Sequence, residues 1–286
     1  MDVLEQLVSL LALEKLEENL FRGQSQDLGW GRVFGGQVLG QALSAAVQTV
    51  PAERHVHSLH AYFLRPGDVK RPILYQVDRI RDGGSFTTRR IVAVQNGAAI
   101  FNMAASFQVE EPGFEHQDEM PSAPAPETLP ADADRYKPHL HNLPPKMRDE
   151  LMAVWPIELK PVEVEDDPIH PSPQPPRRMV WLKARGQLPA TPSLHAYLLA
   201  YASDFSFMTT SLLPHRRTWL TPKLQLASLD HVMWFHRPLR IDDWLLHVMD
   251  SPSASSARGL VRGRVFDRAG RLVASTAQEG LIREGP

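Results

Sequence analysis

The chain of 286 residues contains no cysteine. That absence excludes a disulfide framework, a thiolate metal site and a cysteine nucleophile together. A large excess of charge of either sign is also missing. The formal net charge is −2, which gives no electrostatic reason to expect a nucleic acid or an anionic membrane as partner. Long hydrophobic runs are absent as well. The N-terminal stretch MDVLEQLVSLLALEKLEENLF has apolar residues at helical spacing, but Asp2, Glu5, Glu14, Glu17 and Glu18 interrupt it. It predicts an amphipathic surface helix rather than a signal peptide or a membrane span, and a cytoplasmic location is the default expectation. Neither a G-x-S-x-G nucleophile elbow nor an H-E-x-x-H zinc helix occurs anywhere.

What is present has the balance of a globular protein, with 43% hydrophobic and 22% charged residues. The length accommodates two domains of roughly 100 to 150 residues, each large enough for its own core. The second half repeats the first. Ser58 to Pro66 (SLHAYFLRP) aligns with Asp230 to Pro238 (DHVMWFHRP), both apolar-aromatic strands that close on Arg-Pro. Downstream, an Arg-led strand (Arg89 in one copy, Arg258 in the other) turns at Asn96-Gly97 or at Asp267-Arg268-Ala269-Gly270. It returns as Ala104 to Gln108 in the first copy and Ala274 to Gln278 in the second.

Proline is unevenly spread, with 15 of the 25 between Pro112 and Pro176. Proline removes backbone donors and fixes φ, so residues 112–176 predict an ordered but irregular linker between an N-terminal domain (1–111) and a C-terminal domain (177–286). Each half otherwise has one helix followed by strands. The first half reads as a helix over 37–50 and strands over 55–64, 73–81, 87–95 and 99–109. In the second half Thr191-Pro192 is a good helix start, and the helix is expected to run to about Phe207. Strands follow over 226–235, 243–249, 257–266 and 271–282. A long helix and a run of antiparallel strands is an α+β signature, and a sheet curled around one central helix, present twice, accounts for it.

Asp204 stands out chemically. It lies in YASDFSF, about three turns along an otherwise apolar helix, near the end where the helix dipole disfavours negative charge. The matching turn of the first helix reads Ser44-Ala45-Ala46, with no carboxylate. A simple helix-terminating role is the competing explanation. Candidate companions are Ser228 and Gln278, on strands of the second copy. A carboxylate, a hydroxyl and a carboxamide are suited to holding a water molecule for attack on an activated carbonyl, a thioester being a good candidate. On residue type alone Ser228 and Gln278 are ordinary strand positions.

Two other clusters carry less. Gly29, Gly31, Gly35 and Gly36 miss the G-x-G-x-x-G spacing, and no strand–helix–strand unit surrounds them. His55, His57 and His60 lie close together, but no acidic partner is evident, so no metal is assigned.

Over nearly its whole length the chain resembles the type II acyl-CoA thioesterases, the TesB family of double-hotdog proteins. The resemblance is carried by LEKLEENLFRGQSQDLG, VFGGQVLGQAL, VHSLHAYFLRPGD, GFEHQDEMPSAPAP, LLAYASDF, LDHVMWFHRP, SASSARG and ASTAQEG. It implies two tandem hotdog domains and hydrolysis of acyl-CoA, with broad medium- to long-chain specificity, by direct attack of a water. The family's Asp, hydroxyl and Gln fall on Asp204, Ser228 and Gln278. The family commonly has threonine at Ser228; the lost methyl leaves that side chain freer about χ1.

Gly35 and Gly36 are candidates for the amides that polarise the thioester oxygen. His57, Arg65, Arg89, Arg237 and Arg258 are candidate contacts for substrate, the arginines for the coenzyme A phosphates. No cofactor is expected. A homo-oligomer, dimer or tetramer, is expected by analogy with hotdog sheets pairing edge to edge. Two alternatives remain. One is a hotdog hydratase or dehydratase using Asp230 with His236 or His231; the other is a catalytically silent acyl-CoA binder.

Overall fold

A computed structural model describes residues 1–163, 167 and 169–285; residues 164–166 and 168 of the proline-rich segment lie outside the described residues. In chain order the elements are α1 (Val3–Leu11), β1 (Glu14–Glu17), β2 (Leu20–Gly23), α2 (Gly35–Val47), β3 (Arg54–Phe63), β4 (Ile73–Asp82), β5 (Phe86–Gln95) and β6 (Ala98–Val109). There follow α3 (Asp132–Tyr136), α4 (Pro145–Met152), β7 (Ile157–Pro161), β8 (Arg177–Ala184), α5 (Pro192–Ser203) and α6 (Phe207–Thr210). The chain ends in β9 (Leu224–Ser228), β10 (Asp230–Phe235), β11 (Leu245–Ser255), β12 (Arg258–Asp267) and β13 (Leu272–Glu284).

Local chemistry accounts for the element boundaries. Helix α1 begins with a capping box: Asp2 accepts from the Glu5 amide at 2.7 Å, and Glu5 accepts from the Asp2 amide at 3.0 Å. Its Leu4, Leu7 and Leu11 are buried, so the amphipathic helix expected at the N-terminus forms and docks its apolar face. The β5–β6 hairpin turns at Asn96 and Gly97, with φ of 51° and 73°, the left-handed pair that a tight hairpin requires.

The strands form one sheet of thirteen, in the order β1-β2-β4-β5-β6-β3-β10-β13-β12-β11-β8-β7, with β9 pairing beside β13. The halves meet where the two copies of the repeated segment pair antiparallel, Tyr62 opposite Asp230 and Ser58 opposite Trp234, with His60 opposite Val232 at the centre. The order reads equivalently from both edges, so β7 and β8 occupy the places that β1 and β2 hold in the first half. Strand β7 thus lies inside the segment expected to be an irregular connector: its five residues pair with β8, and Pro161 ends it.

The expectation of separate cores is corrected by the packing. Helices α2 and α5 run antiparallel against each other, and one continuous core holds Val38, Leu39, Leu198 and Leu199 together with Leu59 and Met233. Two glycines one helical turn apart permit the contact. A Cβ on Gly36 would collide with the Tyr201 carbonyl oxygen, and one on Gly40 would lie 3.0 Å from that of Tyr197. The architecture is a double hotdog, with both helices enclosed by the curved sheet.

Candidate active site

Helix α5 ends at Ser203, earlier than the expected Phe207, because Ser206 adopts a left-handed backbone (φ 61°) and redirects the chain into α6. Asp204 is the residue after the last helical turn, so its backbone does terminate the helix. Its half-buried side chain has further partners. Oδ1 accepts from Ser228 Oγ at 3.3 Å and from Gln278 Nε2 at 3.1 Å, and the same Gln278 nitrogen donates to Ser228 Oγ at 2.7 Å. Oδ2 has no protein donor among the described residues. It faces the first turn of α2, where a Cβ on Gly35 would lie 2.7 Å from it.

The fold brings these groups together from distant parts of the chain. In β13 alternate residues Thr276, Gln278 and Gly280 point inward, and Ser228 is opposite Gly280 on the neighbouring strand β9. Helix geometry leaves the Gly35 and Gly36 amides at the start of α2 without intrahelical acceptors. The first half has no counterpart. Strand register places Ala105, not the sequence-aligned Gln108, at the position of Gln278; Gln108 donates to Glu111 at the surface, and Ser44-Ala45-Ala46 supplies no acid.

A cavity of about 780 Å³ opens onto Asp204, Ser228 and Gly35. Trp30, Phe34, Trp155 and Phe205 form an aromatic wall on it, with Trp30 stacked on Trp155 and Phe34 against Phe205 at 4.6 Å between ring centres. Gln278 does not line the cavity. It is 1% exposed and lies behind Asp204 and Ser228, so its amide hydrogens serve those two side chains rather than a water in the cavity.

Behind Gln278 is His231, fully buried on β10. Its Nδ1 lies 2.6 Å from Gln278 Oε1, and its Nε2 lies 2.9 Å from Ser203 Oγ. Burial pushes this imidazole below the usual histidine range, against the opposing pull of Asp204. No histidine lines the cavity among the described residues. The Asp230 carboxylate is occupied elsewhere, accepting from the Glu279 amide at 2.6 Å, and the exposed His236 pairs with Ser275 at 2.8 Å. The acid–histidine pair that a hydratase would need is therefore not assembled on the cavity.

The remaining sequence candidates divide. Arg65 lines the cavity but also donates to the Ala99 carbonyl at 2.7 Å. Arg237, its repeat equivalent, makes the matching bond to the Leu272 carbonyl at 2.9 Å and does not reach the cavity. The Arg-Pro closure of the repeat is thus a structural device in both copies. Arg89 is 1% exposed and spends its guanidinium on Asp82, Thr49 and two backbone carbonyls. Arg258 pairs with Glu279, and His57 bonds Ser106 Oγ at 2.8 Å; neither lines the cavity. Sequence reasoning missed Arg32, Arg178 and Arg217 on the cavity wall; Arg32 and Arg217 lie outside the regular elements, and Arg178 lies on β8, a strand the sequence pattern did not reveal.

Residues 25–108 match the family described as acyl-CoA thioesterase N-terminal domain, and residues 155–281 match that described as acyl-CoA thioesterase. Acyl-CoA thioesterase 2 of Haemophilus influenzae is 42% identical over 282 residues, covering 99% of this chain and 98% of the relative. The chain belongs to the acyl-CoA thioesterase family. Among solved members, the acyl-CoA thioesterase II TesB2 of Mycobacterium marinum is 40% identical, with a TM-score of 0.80 over 98% of each chain. A hot dog protein of unknown function from Alicyclobacillus acidocaldarius shares the fold at 19% identity, with a TM-score of 0.77 over 98% of each chain. Among the described residues no helix is long and apolar enough to cross a membrane.

Proposed function

We propose that this protein hydrolyses acyl-CoA thioesters by direct attack of a water activated by Asp204. The observation that carries the reading is the division of labour on that carboxylate. Oδ1 is held by Ser228 and Gln278, while Oδ2 is free on the cavity side next to the amides that open α2. A water bound to Oδ2 attacks the thioester carbonyl carbon and passes its proton to Asp204. The amides of Gly35 and Gly36 donate to the oxyanion that forms. Collapse breaks the carbon–sulfur bond, and the proton on Asp204 returns to the leaving thiolate, giving a free carboxylic acid and coenzyme A. No covalent acyl-enzyme is involved.

Ser228 fixes the carboxylate and, with one lone pair taken by Gln278, offers the remaining one to the water. Gln278, buried behind both, positions them. The aromatic wall and the neighbouring apolar side chains of the cavity suit a medium to long acyl chain, and Arg65, at the cavity, suits the substrate's phosphates. A cytoplasmic location, from the composition, and a homo-oligomer, by analogy with hotdog sheets that pair edge to edge, are part of the proposal.

The test is free-thiol release from a series of saturated acyl-CoAs, run beside water addition to an enoyl-CoA. Thiol release without hydration is expected. Hydration without thiol release would favour a hydratase, and neither reaction from a folded protein that binds acyl-CoA would favour a silent binder.

A further inference from the structure

We propose that His231 is a positioning residue that sets which edge of the Gln278 carboxamide meets Asp204 and Ser228. This rests on the reading of Asp204, Ser228 and Gln278 as the working set. A carboxamide has two donors on nitrogen and an acceptor oxygen, and turning it over exchanges them. In the orientation observed, Nε2 donates to Asp204 Oδ1 and Ser228 Oγ. Turned over, it would set its oxygen against the carboxylate.

The carboxylate itself disfavours that flip, and the neighbour of Oε1, His231 Nδ1 at 2.6 Å, adds a second constraint from the opposite edge of the carboxamide. Since Oε1 can only accept, Nδ1 must carry the proton. Nε2 then accepts from Ser203 Oγ, which lies 2.9 Å from it and next to Asp204 in the chain. The network forms a loop, from Asp204 through Gln278 and His231 to Ser203 and back along the backbone. The Ser203 hydroxyl also lies 2.9 Å from the Ala200 carbonyl and 3.4 Å from Met233 Sδ, so its single proton has three possible acceptors, the thioether being the weakest. An imidazolium would let Ser203 serve Ala200 instead, but burial opposes that charged form.

The residue equivalent to His231 in the first half is Leu59, equally buried, where no catalytic glutamine needs orienting. His231 also lies away from the cavity, so it touches neither water nor substrate.

Two variants and one spectrum test this. His231→Asn retains an amide donor near the Nδ1 position, whereas His231→Leu copies the first repeat and removes it. Asp204→Asn and Gln278→Ala are assayed in parallel. We expect His231→Leu to lower kcat by about 10- to 100-fold with little change in KM, and His231→Asn to recover most of that loss. Ring nitrogen shifts in ¹⁵N-histidine-labelled wild type should show a proton on Nδ1 and none on Nε2. A proton on Nε2 alone would overturn the inference whatever the variants do. So would a His231→Leu protein with wild-type kcat, or equal losses in both His231 variants. If Asp204→Asn and Gln278→Ala lose activity while His231→Leu does not, only the role of His231 fails. If Asp204→Asn stays active, the underlying reading fails and this inference with it.

Discussion

Gly35 and Gly36 are adjacent in sequence, yet the structure assigns them different consequences when a methyl group is added. A Cβ on Gly35 would lie 2.7 Å from Asp204 Oδ2 and 3.1 Å from two ring atoms of Phe63. The carboxylate is the free end of a side chain, so it would retreat by roughly 0.7 Å or more to reach an ordinary contact distance. Gly35 has no positive φ, so alanine is compatible with its backbone, and the net stability change should stay within about 1 kcal/mol. The displaced oxygen is the one proposed to take the proton from water. A shift of that size should lower kcat by about 10- to 100-fold.

On Gly36 the added carbon meets the Tyr201 carbonyl oxygen and the Phe34 ring. Backbone cannot swing aside as a carboxylate can, so the α2–α5 contact must open, at a cost of about 2–3 kcal/mol. That is enough to lower Tm by several degrees. The assay is thiol release from an acyl-CoA, with thermal melts of wild type, Gly35→Ala and Gly36→Ala measured together. A Gly35→Ala protein with wild-type kcat, or one that loses Tm as much as Gly36→Ala, would refute the reasoning.

Other substitutions follow from the same geometry. Ser228→Ala removes one of two donors to Asp204 Oδ1 and should reduce kcat about tenfold, whereas Ser228→Thr keeps the hydroxyl, restricts χ1 and should match or exceed wild type; steady-state kinetics decides. His247 is fully buried against Phe207, and burial depresses its pKa to about 3. The unfolded chain therefore binds a proton below the ordinary histidine value that the folded chain does not. Stability is complete above pH 6.5 and falls with acidification toward pH 3, by about 2 kcal/mol at pH 5 from this group alone. Denaturant melts of wild type and His247→Gln from pH 7 to pH 5 should show a shallower decline in the variant; parallel declines would contradict it. Arg237→Ala loses its bond to the Leu272 carbonyl away from the cavity, so it should lower Tm and leave KM unchanged, which a KM more than about threefold higher would contradict.

The middle of each half was readable because its strands alternate and its turns have a recognisable chemistry. Asn96-Gly97 fixed one hairpin, and the runs around β3 to β6 match the observed bounds within about two residues. Strands at the sheet margins were not found. All four residues of β1 are exposed, so no burial pattern marks it, and β7 is a five-residue strand amid prolines. The expected strand over 226–235 is split at Leu229, whose carbonyl accepts from Phe63 of the other half at 2.9 Å. That break, and the merging of two expected cores into one, depend on contacts between residues more than 150 positions apart, which local patterning does not encode.

Asp204 could be picked out as an acid on an apolar helix. Ser228 and Gln278 rested on family resemblance alone, since strand register decides which residues meet behind the helix. His231 was weighed only as an acid–base partner of Asp230. Its orientation toward Gln278 depends on the pairing of β10 with β13. Arg89 and Arg258 seemed equivalent as strand-leading cations, yet one is buried on Thr49 and Asp82 and the other pairs at the surface with Glu279.

The most direct test of the central claim is thiol release from a medium-chain acyl-CoA by wild type and Asp204→Asn, followed with a thiol-reactive dye. The absence of cysteine keeps the protein itself silent in that assay. Loss of the general base should lower kcat by at least about 100-fold while the melting curve stays close to that of wild type. A folded Asp204→Asn protein that turns over within a few-fold of wild type would contradict the account of this site.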